Sequence, residues 1–339
     1  MNKKDTDSRI NWPTIRWEEG SPQEHGIQDD RLWLADQTIR RNLPNVHSLL
    51  VIRNGAIVFE QYYQGHSSNS IFDIRSVTKS FISTLIGIAV KEEYIPDLDQ
   101  NILSYFPEDK TANMDPRKAA ITIRHLLMMK SGLAWDEEQD FEQLYSSENW
   151  VRYLFNLLMR EVPGLVFNYN SGASHILSAL IHRATGMTAL EFAQRRLFSR
   201  LGIGNHSWAS DPMGVTIGYA DLLLTARDLA KLGLLYINHG RWNGDQLLTP
   251  EYIRAATTAW SPGGFPEEAE YGYHWWALPS ETHSSYFAAG YGGQYLWIAP
   301  DLDLIVVTTA EPWLPPSLIQ DHLFLITDFV VPSVALGKP

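Results

Sequence analysis

The sequence predicts a mixed α/β fold, an antiparallel sheet assembled from both ends of the chain and flanked by helices, with a mainly helical region inserted between the ends. Three observations carry this. Two apolar runs, Ser48–Arg53 and Ala56–Tyr63, lie either side of Asn54-Gly55, the strongest short signal for a β-hairpin. From Ser76 onward the apolar spacing becomes that of helices. Past Tyr271 the runs turn short, aromatic and β-branched again, as strands are.

In chain order, a polar lead-in covers residues 1–30 and a helix is expected over Asp30–Arg41, ahead of the hairpin. Ser76–Lys91 places Ile82, Leu85, Ile86 and Ala89 on one helical face, and Ile123–Lys130 is a short apolar helix stopped at Ser131-Gly132. Further helices are expected over Trp150–Arg160, Ala173–Thr185, Leu190–Arg200, Thr225–Asn238 and Pro250–Thr257. Strands follow at Tyr271–Leu278, Ser284–Ala289, Gln294–Ala299 and Leu302–Thr309, with a turn at Pro300-Asp301, and a helix over Leu318–Val330 closes the chain. This divides the chain into a sheet-containing α/β region, residues 1–75 and 240–339, and a mainly helical region, residues 76–239. The cleft between them is the default place for a site.

Composition narrows the function. A chain of 339 residues with 45% hydrophobic and 19% charged residues is long enough for one large or two intimate globular units. A net charge of -12 opposes binding to nucleic acid or anionic lipid, both of which need basic patches. With no cysteine, the chain holds no disulfide, thiolate nucleophile or Cys-ligated metal. No run approaches the ~18 apolar residues of a membrane span. Met1–Asp7 is polar, with no apolar core after Lys3 and Lys4, so no secretory leader is expected in the sequence as it stands and the compartment stays open. Twelve Trp, fifteen Tyr and thirteen Phe pack the interior and leave rings to line an apolar cleft.

Several chemistries lack their motifs. There is no Gly-x-Ser-x-Gly, no His-Glu-x-x-His and no Gly-x-x-x-x-Gly-Lys-Ser/Thr. His175 and His182 share one helix face, but two histidines make a poor metal site and read as packed or surface residues. What remains is Ser76-Val77-Thr78-Lys79, with serine and lysine one helical turn apart. A serine hydroxyl must lose its proton as it attacks, and a lysine held in a partly dry cleft has its pKa lowered enough to take it. The helix start adds N–H groups and partial positive charge beside Ser76, and Asp73 is the candidate cap. Alone, the pair also fits a bland reading, an N-terminal helix serine with a solvated lysine.

Context decides between the two. Residues 68–91 (SNSIFDIRSVTKSFISTLIGIAVK), Ile121–Leu133 (ITIRHLLMMKSGL), Phe167–Gly186 (FNYNSGASHILSALIHRATG), Leu222–Gly244 and Ala288–Gln294 (AAGYGGQ) resemble, in order and spacing, the landmarks of the serine β-lactamase-like family. That family includes class C β-lactamases, D-Ala-D-Ala peptidases, family VIII esterases and 6-aminohexanoate-dimer hydrolases. The resemblance covers roughly residues 20–330 and implies the β-lactamase/transpeptidase-like fold. It implies Ser76 as nucleophile, Lys79 as its partner, and Tyr169 as the tyrosine that, as phenol or phenolate, shuttles a proton between serine, lysine and leaving group, with Lys79 expected as the cation that brings a phenol of ordinary pKa about 10 into range. Gly290 matches the glycine of the third motif, which implies an oxyanion hole from the backbone N–H groups of Ser76 and Tyr291.

Two departures shape the substrate expectation. Ser171 stands where the second motif has asparagine, leaving a shorter donor to substrate. Ala288-Ala289 replace the Lys/His and Thr/Ser pair, which removes the cation that would hold a carboxylate and tilts the reading toward uncharged esters or amides. The acidic segment Trp135–Glu148 either is a solvated loop or attracts an amine-bearing substrate through Asp136 and Asp140, with Tyr145 as a substrate contact. Ser261–Ala269, rich in Gly and Pro, reads as a lid or as an ordinary surface loop. The expected activity is hydrolysis of a small-molecule ester or amide through an acyl-enzyme on Ser76, with no metal or organic cofactor. The alternatives are a β-lactamase or D-Ala-D-Ala carboxypeptidase, and a non-catalytic ligand-binding member of the fold.

Overall fold

A computed structural model of the chain describes residues 11–109, 115–314 and 322–334. Its strands run β1 (Glu18–Glu19), β2 (Val46–Arg53), β3 (Ala56–Tyr62), β4 (Ile71–Asp73), β5 (His206–Trp208), β6 (Leu222–Thr225), β7 (Arg241–Trp242), β8 (Asp245–Gln246), β9 (Ser261–Gly264), β10 (Ala269–Tyr271), β11 (Trp276–Leu278), β12 (Ser285–Gly290), β13 (Gln294–Ala299) and β14 (Leu304–Ala310). Its helices are α1 (Asp29–Asn42), α2 (Thr78–Lys91), α3 (Ile123–Leu127), α4 (Asp140–Ser146), α5 (Trp150–Asn156), α6 (Ser171–Thr185), α7 (Ala189–Ala193), α8 (Ser199–Leu201), α9 (Ala226–Ile237), α10 (Pro250–Thr257) and α11 (Val331–Ser333).

The two chain ends share one sheet, in the order β1-β3-β2-β14-β13-β12-β11-β10-β9. All its pairings are antiparallel except that of β1 with β3. The hairpin at Asn54-Gly55 forms as expected, with both residues at positive φ (50° and 78°), the backbone that a two-residue turn between twisted strands requires. The join between the ends is β2 on β14, with Val51 opposite Val306 and Ile52 opposite Ile305. Every residue of β14 is buried, which explains its unbroken apolar run: helix α9 covers it on one side, and Gly233 of α9 packs so closely that a Cβ there would lie 2.8 Å from Ile305.

Some expected elements differ. Tyr271–Leu278, expected as one strand, is two, because the chain folds through Gly272–Trp275. There the Gly272 N–H donates to the Trp275 carbonyl at 2.8 Å, and a Cβ on Gly272 would lie 2.1 Å from the carbonyl oxygen of Ala256. The helix expected to reach Arg160 stops at Asn156, since the Arg160 N–H pairs instead with the Gly132 carbonyl at 2.9 Å. The middle stretch also holds a small antiparallel sheet, β4-β6-β5, whose strands of three or four residues carry too short a pattern to read. The lead Met1–Asp7 and residues 318–321 of the expected closing helix lie outside the described residues. The rest of that helix is a π-helical stretch, Leu325–Val330, running into α11.

Helix α2 is buried from Thr78 to Ala89, so it is a central element and not a half-exposed one. It packs on α6, and the turn just before it lies against β12. That placement brings the Ser-x-x-Lys segment, the loop leading into α6 and the end of β12 to one locus.

Candidate active site

Ser76 sits in a 3₁₀ turn, Arg75–Val77, immediately before α2. The turn is anchored on the small sheet, where the Ile74 N–H donates to the Leu222 carbonyl at 3.1 Å. Arg75 has φ of 50°, a left-handed conformation that costs a non-glycine residue of order 1 kcal/mol. Its surroundings hold it there. Asp73 Oδ1 accepts the Arg75 N–H at 2.9 Å, Asp73 Oδ2 pairs with the Arg75 guanidinium at 3.3 Å, and the guanidinium lies 4.6 Å over the Trp313 ring. Asp73, expected as the cap of the helix, instead holds Arg75, and the N-cap position of α2 is Val77, which makes no side-chain cap bond.

Lys79 lies one turn further on, only 1% exposed. Its Nζ donates to Ser76 Oγ at 2.7 Å and to the Tyr219 carbonyl at 3.3 Å, between the ring faces of Tyr169 (4.8 Å) and Tyr219 (5.9 Å). Burial pulls the ammonium down to about 8; the Glu137 carboxylate opposes that shift and the Arg75 cation adds to it. Behind it, the buried His274 places Nδ1 3.1 Å from the Lys79 carbonyl, and burial pushes this imidazole down to about 3. That ring is neutral packing.

Tyr169 comes from the loop before α6. Asn168 fixes the loop, donating its N–H to the Met129 carbonyl at 2.8 Å and its Nδ2 to the Trp135 carbonyl at 3.0 Å. Asn170 accepts the Ala173 N–H at 2.9 Å as the cap of α6. The Tyr169 ring stacks on Trp276 at 5.7 Å, and its hydroxyl bonds that of Ser76. Burial first, then the Glu137 charge, push the phenol well above its ordinary range. Lys79 faces the ring and not the oxygen, so its charge does not lower the phenol's pKa: Tyr169 stays a protonated phenol, and of the two groups Lys79, at about 8, is the nearer to neutral pH.

The structure brings Ser76, Lys79 and Tyr169 together. Gly290 also adjoins them: a Cβ there would lie 2.5 Å from the Ile74 carbonyl oxygen and 3.1 Å from Arg75 Cβ, so only glycine lets the end of β12 approach the Ser76 turn this closely. Tyr291 follows at the start of the β12–β13 turn, half exposed. Tyr145, on α4, is exposed, accepts from the Tyr219 hydroxyl at 3.3 Å and stacks on Phe141, which links it to Lys79 through Tyr219. Ser171, expected to donate to substrate, is instead buried and gives its hydroxyl to Glu137.

Glu137 is the residue that the sequence hid. Its carboxylate accepts the Ser171 N–H at 3.1 Å, the Ser171 hydroxyl and Trp135 Nε1 at 2.6 Å, so it clamps the loop carrying Tyr169 and lays a negative charge beside Lys79. In the sequence it is one of six carboxylates between Trp135 and Glu148. Its neighbours Asp136 and Asp140 serve the loop itself: Asp140 Oδ2 accepts the Asp136 N–H at 2.7 Å and Asp136 Oδ1 accepts the Glu138 N–H at 3.0 Å. His175 pairs with buried Asp211 at 3.1 Å, while His182 is exposed. The segment 261–269 is the β9–β10 hairpin, and its Glu267 accepts from the Tyr295 hydroxyl at 3.3 Å.

A family model described as Beta-lactamase matches residues 38–321. The 6-aminohexanoate-dimer hydrolase of Paenarthrobacter ureafaciens is 23% identical over 334 residues, covering 91% of this chain and 83% of that protein. Among solved structures, a putative 6-aminohexanoate-dimer hydrolase from Bacillus anthracis superposes with a TM-score of 0.75 at 22% identity, over 95% of this chain and 88% of that one. A family VIII carboxylesterase superposes at 0.71 with 16% identity, over 92% and 98% of the two chains.

Proposed function

The chain belongs to the Beta-lactamase family and is a serine hydrolase, and from that premise we propose that it is a carboxylesterase or amidase working through an acyl-enzyme on Ser76. The observation that carries the reading is the 2.7 Å contact between Lys79 Nζ and Ser76 Oγ in a site dry enough to hold the lysine at about 8. Neutral Lys79 takes the Ser76 proton as Oγ bonds to the substrate's carbonyl carbon. The N–H groups of Ser76 and Tyr291 receive the negative oxygen. The adduct collapses by breaking its bond to the leaving oxygen or nitrogen, which takes the Tyr169 proton, and a water that enters as the leaving group departs carries a proton from the Lys79 ammonium back to Tyr169. Water then attacks the acyl carbon, gives its proton to Lys79, and the acid leaves as Ser76 is reprotonated.

Buried Ala288 and Ala289 offer no cation on β12 to hold a carboxylate, which favours uncharged esters and amides over β-lactams or D-Ala termini. The test is mass spectrometry after a fluorophosphonate, alongside p-nitrophenyl ester turnover. A single adduct on Ser76, with turnover abolished in Ser76→Ala, is the expected result. Undiminished turnover in that variant overturns the reading, and a stable benzylpenicillin adduct returns it to the β-lactamase or peptidase alternative.

A further inference from the structure

Two segments beside the catalytic cluster leave large apolar side chains in solvent, and both attach to Tyr271. In the loop between α5 and α6, Leu165 is 69% and Val166 46% exposed, and the next residue, Phe167, sets its ring 5.2 Å from that of Tyr271. In and beside the β9–β10 hairpin, Phe265 is 59% and Trp260 45% exposed, and the Trp260 N–H donates to the Tyr271 carbonyl at 2.8 Å. Lys130 ties the two segments together. Its carbonyl accepts the Gly164 N–H at 2.8 Å, and its ammonium donates to the Trp260 carbonyl at 3.0 Å. Apolar residues scattered singly over a surface need no explanation, but four on two linked segments beside one buried tyrosine form a patch.

The patch and the site are separated by one buried ring, that of Tyr271. The Tyr271 ring lies 6.4 Å from that of Tyr169, and the charge of Glu267, at the end of the hairpin turn, reaches the Tyr169 phenol. Around Arg75 the site carries three charged groups, Arg75, Asp73 and Asp221, with the exposed Trp313 ring under the Arg75 guanidinium, so an alkyl chain meets more charge there than on the side of Tyr271.

We infer that this patch is a subsite for an apolar leaving group, the alcohol portion of an ester of a hydrophobic alcohol. The inference rests on the acyl-enzyme reading of Ser76. If Tyr169 hands its proton to the leaving oxygen, the leaving group starts at the Tyr169 hydroxyl and its remaining atoms lie on whatever borders that tyrosine. Here those borders are the buried rings of Trp276 and Tyr271, with the exposed apolar side chains of the two segments beyond Tyr271 and the Glu267 carboxylate at one edge.

The test is two ester series followed by acid release: acetates of alcohols from ethanol to octanol, and ethyl esters of acids from acetic to octanoic. A methylene on a half-covered apolar surface is worth about a twofold gain in kcat/KM. The expected result is a rise of that order per methylene along the alcohol series, a flatter acid series, and loss of the alcohol slope in both Leu165→Asp and Phe265→Asp, each read as its own octyl-to-ethyl ratio. Thermal unfolding of each variant confirms that it is folded. A flat alcohol series, equal slopes in the two series, or slopes that survive both substitutions overturn the subsite while leaving the Ser76 chemistry standing. No turnover in either series and no fluorophosphonate adduct on Ser76 overturn the underlying reading, and the subsite falls with it.

Discussion

Replacing Glu137 by glutamine keeps the size of the side chain and removes only its charge, and its effect on the activity–pH profile follows from the site's electrostatics. Lys79 is held at about 8 instead of its ordinary 10.5. At pH 7 about a tenth of it is therefore neutral, against about 0.03% for a solvated lysine, a gain of about 300-fold in competent base. If neutral Lys79 accepts the Ser76 proton, kcat/KM rises with pH and levels off above about 8. The Glu137 carboxylate favours the ammonium and so raises the lysine's pKa against the effect of burial. Glu137→Gln then moves the rising limb to lower pH by roughly one unit, the scale of a single nearby opposite charge. The neutral fraction at pH 7 grows from about a tenth toward half, about fivefold. The plateau is a separate quantity, because an uncharged amide holds the Tyr169 loop less well than the carboxylate and lowers the maximum rate. The assay is kcat/KM for a p-nitrophenyl ester from pH 5.5 to 9.5, normalised to each variant's own plateau. Arg75→Gln removes a cation and moves the limb upward. A limb that stays in place in both variants, or moves the same way in both, refutes the assignment of Lys79 as the titrating base.

Three further outcomes follow. Lys79→Met is expected to stabilise the fold at pH 7 by up to about 3 kcal/mol while abolishing turnover, because the lysine's folded pKa of about 8 lies below its unfolded 10.5. Below the folded value both states carry the proton and the buried ammonium costs its full penalty. Between the two values the unfolded state binds more protons and wild-type stability rises with pH, so the variant's advantage in thermal unfolding shrinks from pH 8 toward 10.5; an advantage independent of pH contradicts this. Tyr169→Phe is expected to lower turnover of an alkyl ester by about 10²–10⁴, and of a p-nitrophenyl ester much less, since only the poor leaving group needs the phenol's proton; equal losses count against that role. Gly290→Ala drives a methyl against the Ile74 carbonyl, with 2.5 Å where van der Waals contact needs more. It is expected to cost about 1–3 kcal/mol in stability and about 10²–10³ in kcat, checked by denaturant unfolding and ester kinetics; full activity removes β12 from the oxyanion site.

Local order accounts for how much of this protein is legible in one dimension. The Asn54-Gly55 hairpin depends on two residues that tolerate positive φ, and the helical spacing of 76–91 on a repeat within a few turns, so both appear in the sequence as in the fold. Ser76 and Lys79 were within reach for the same reason, three residues apart at the start of a helix. Tyr169, Gly290 and Tyr291 needed a family pattern, because nothing local ties them to residue 76. Glu137 was beyond both routes: among many acidic neighbours, only its contacts with Ser171 and Trp135 single it out. The direction of the Tyr169 shift was likewise set by the fold, since a lysine over the ring face and a carboxylate nearby have opposite consequences from a lysine at the oxygen. Sequence alone thus determined the sheet-forming ends, the helical middle and the Ser-x-x-Lys pair, which are properties of short-range backbone preference and periodicity. Tertiary packing decided which carboxylate, which phenol and which glycine meet that pair, and how far the lysine is dried. Burial and Coulomb energy depend on distances through space, and those are made by residues dozens to hundreds of positions apart.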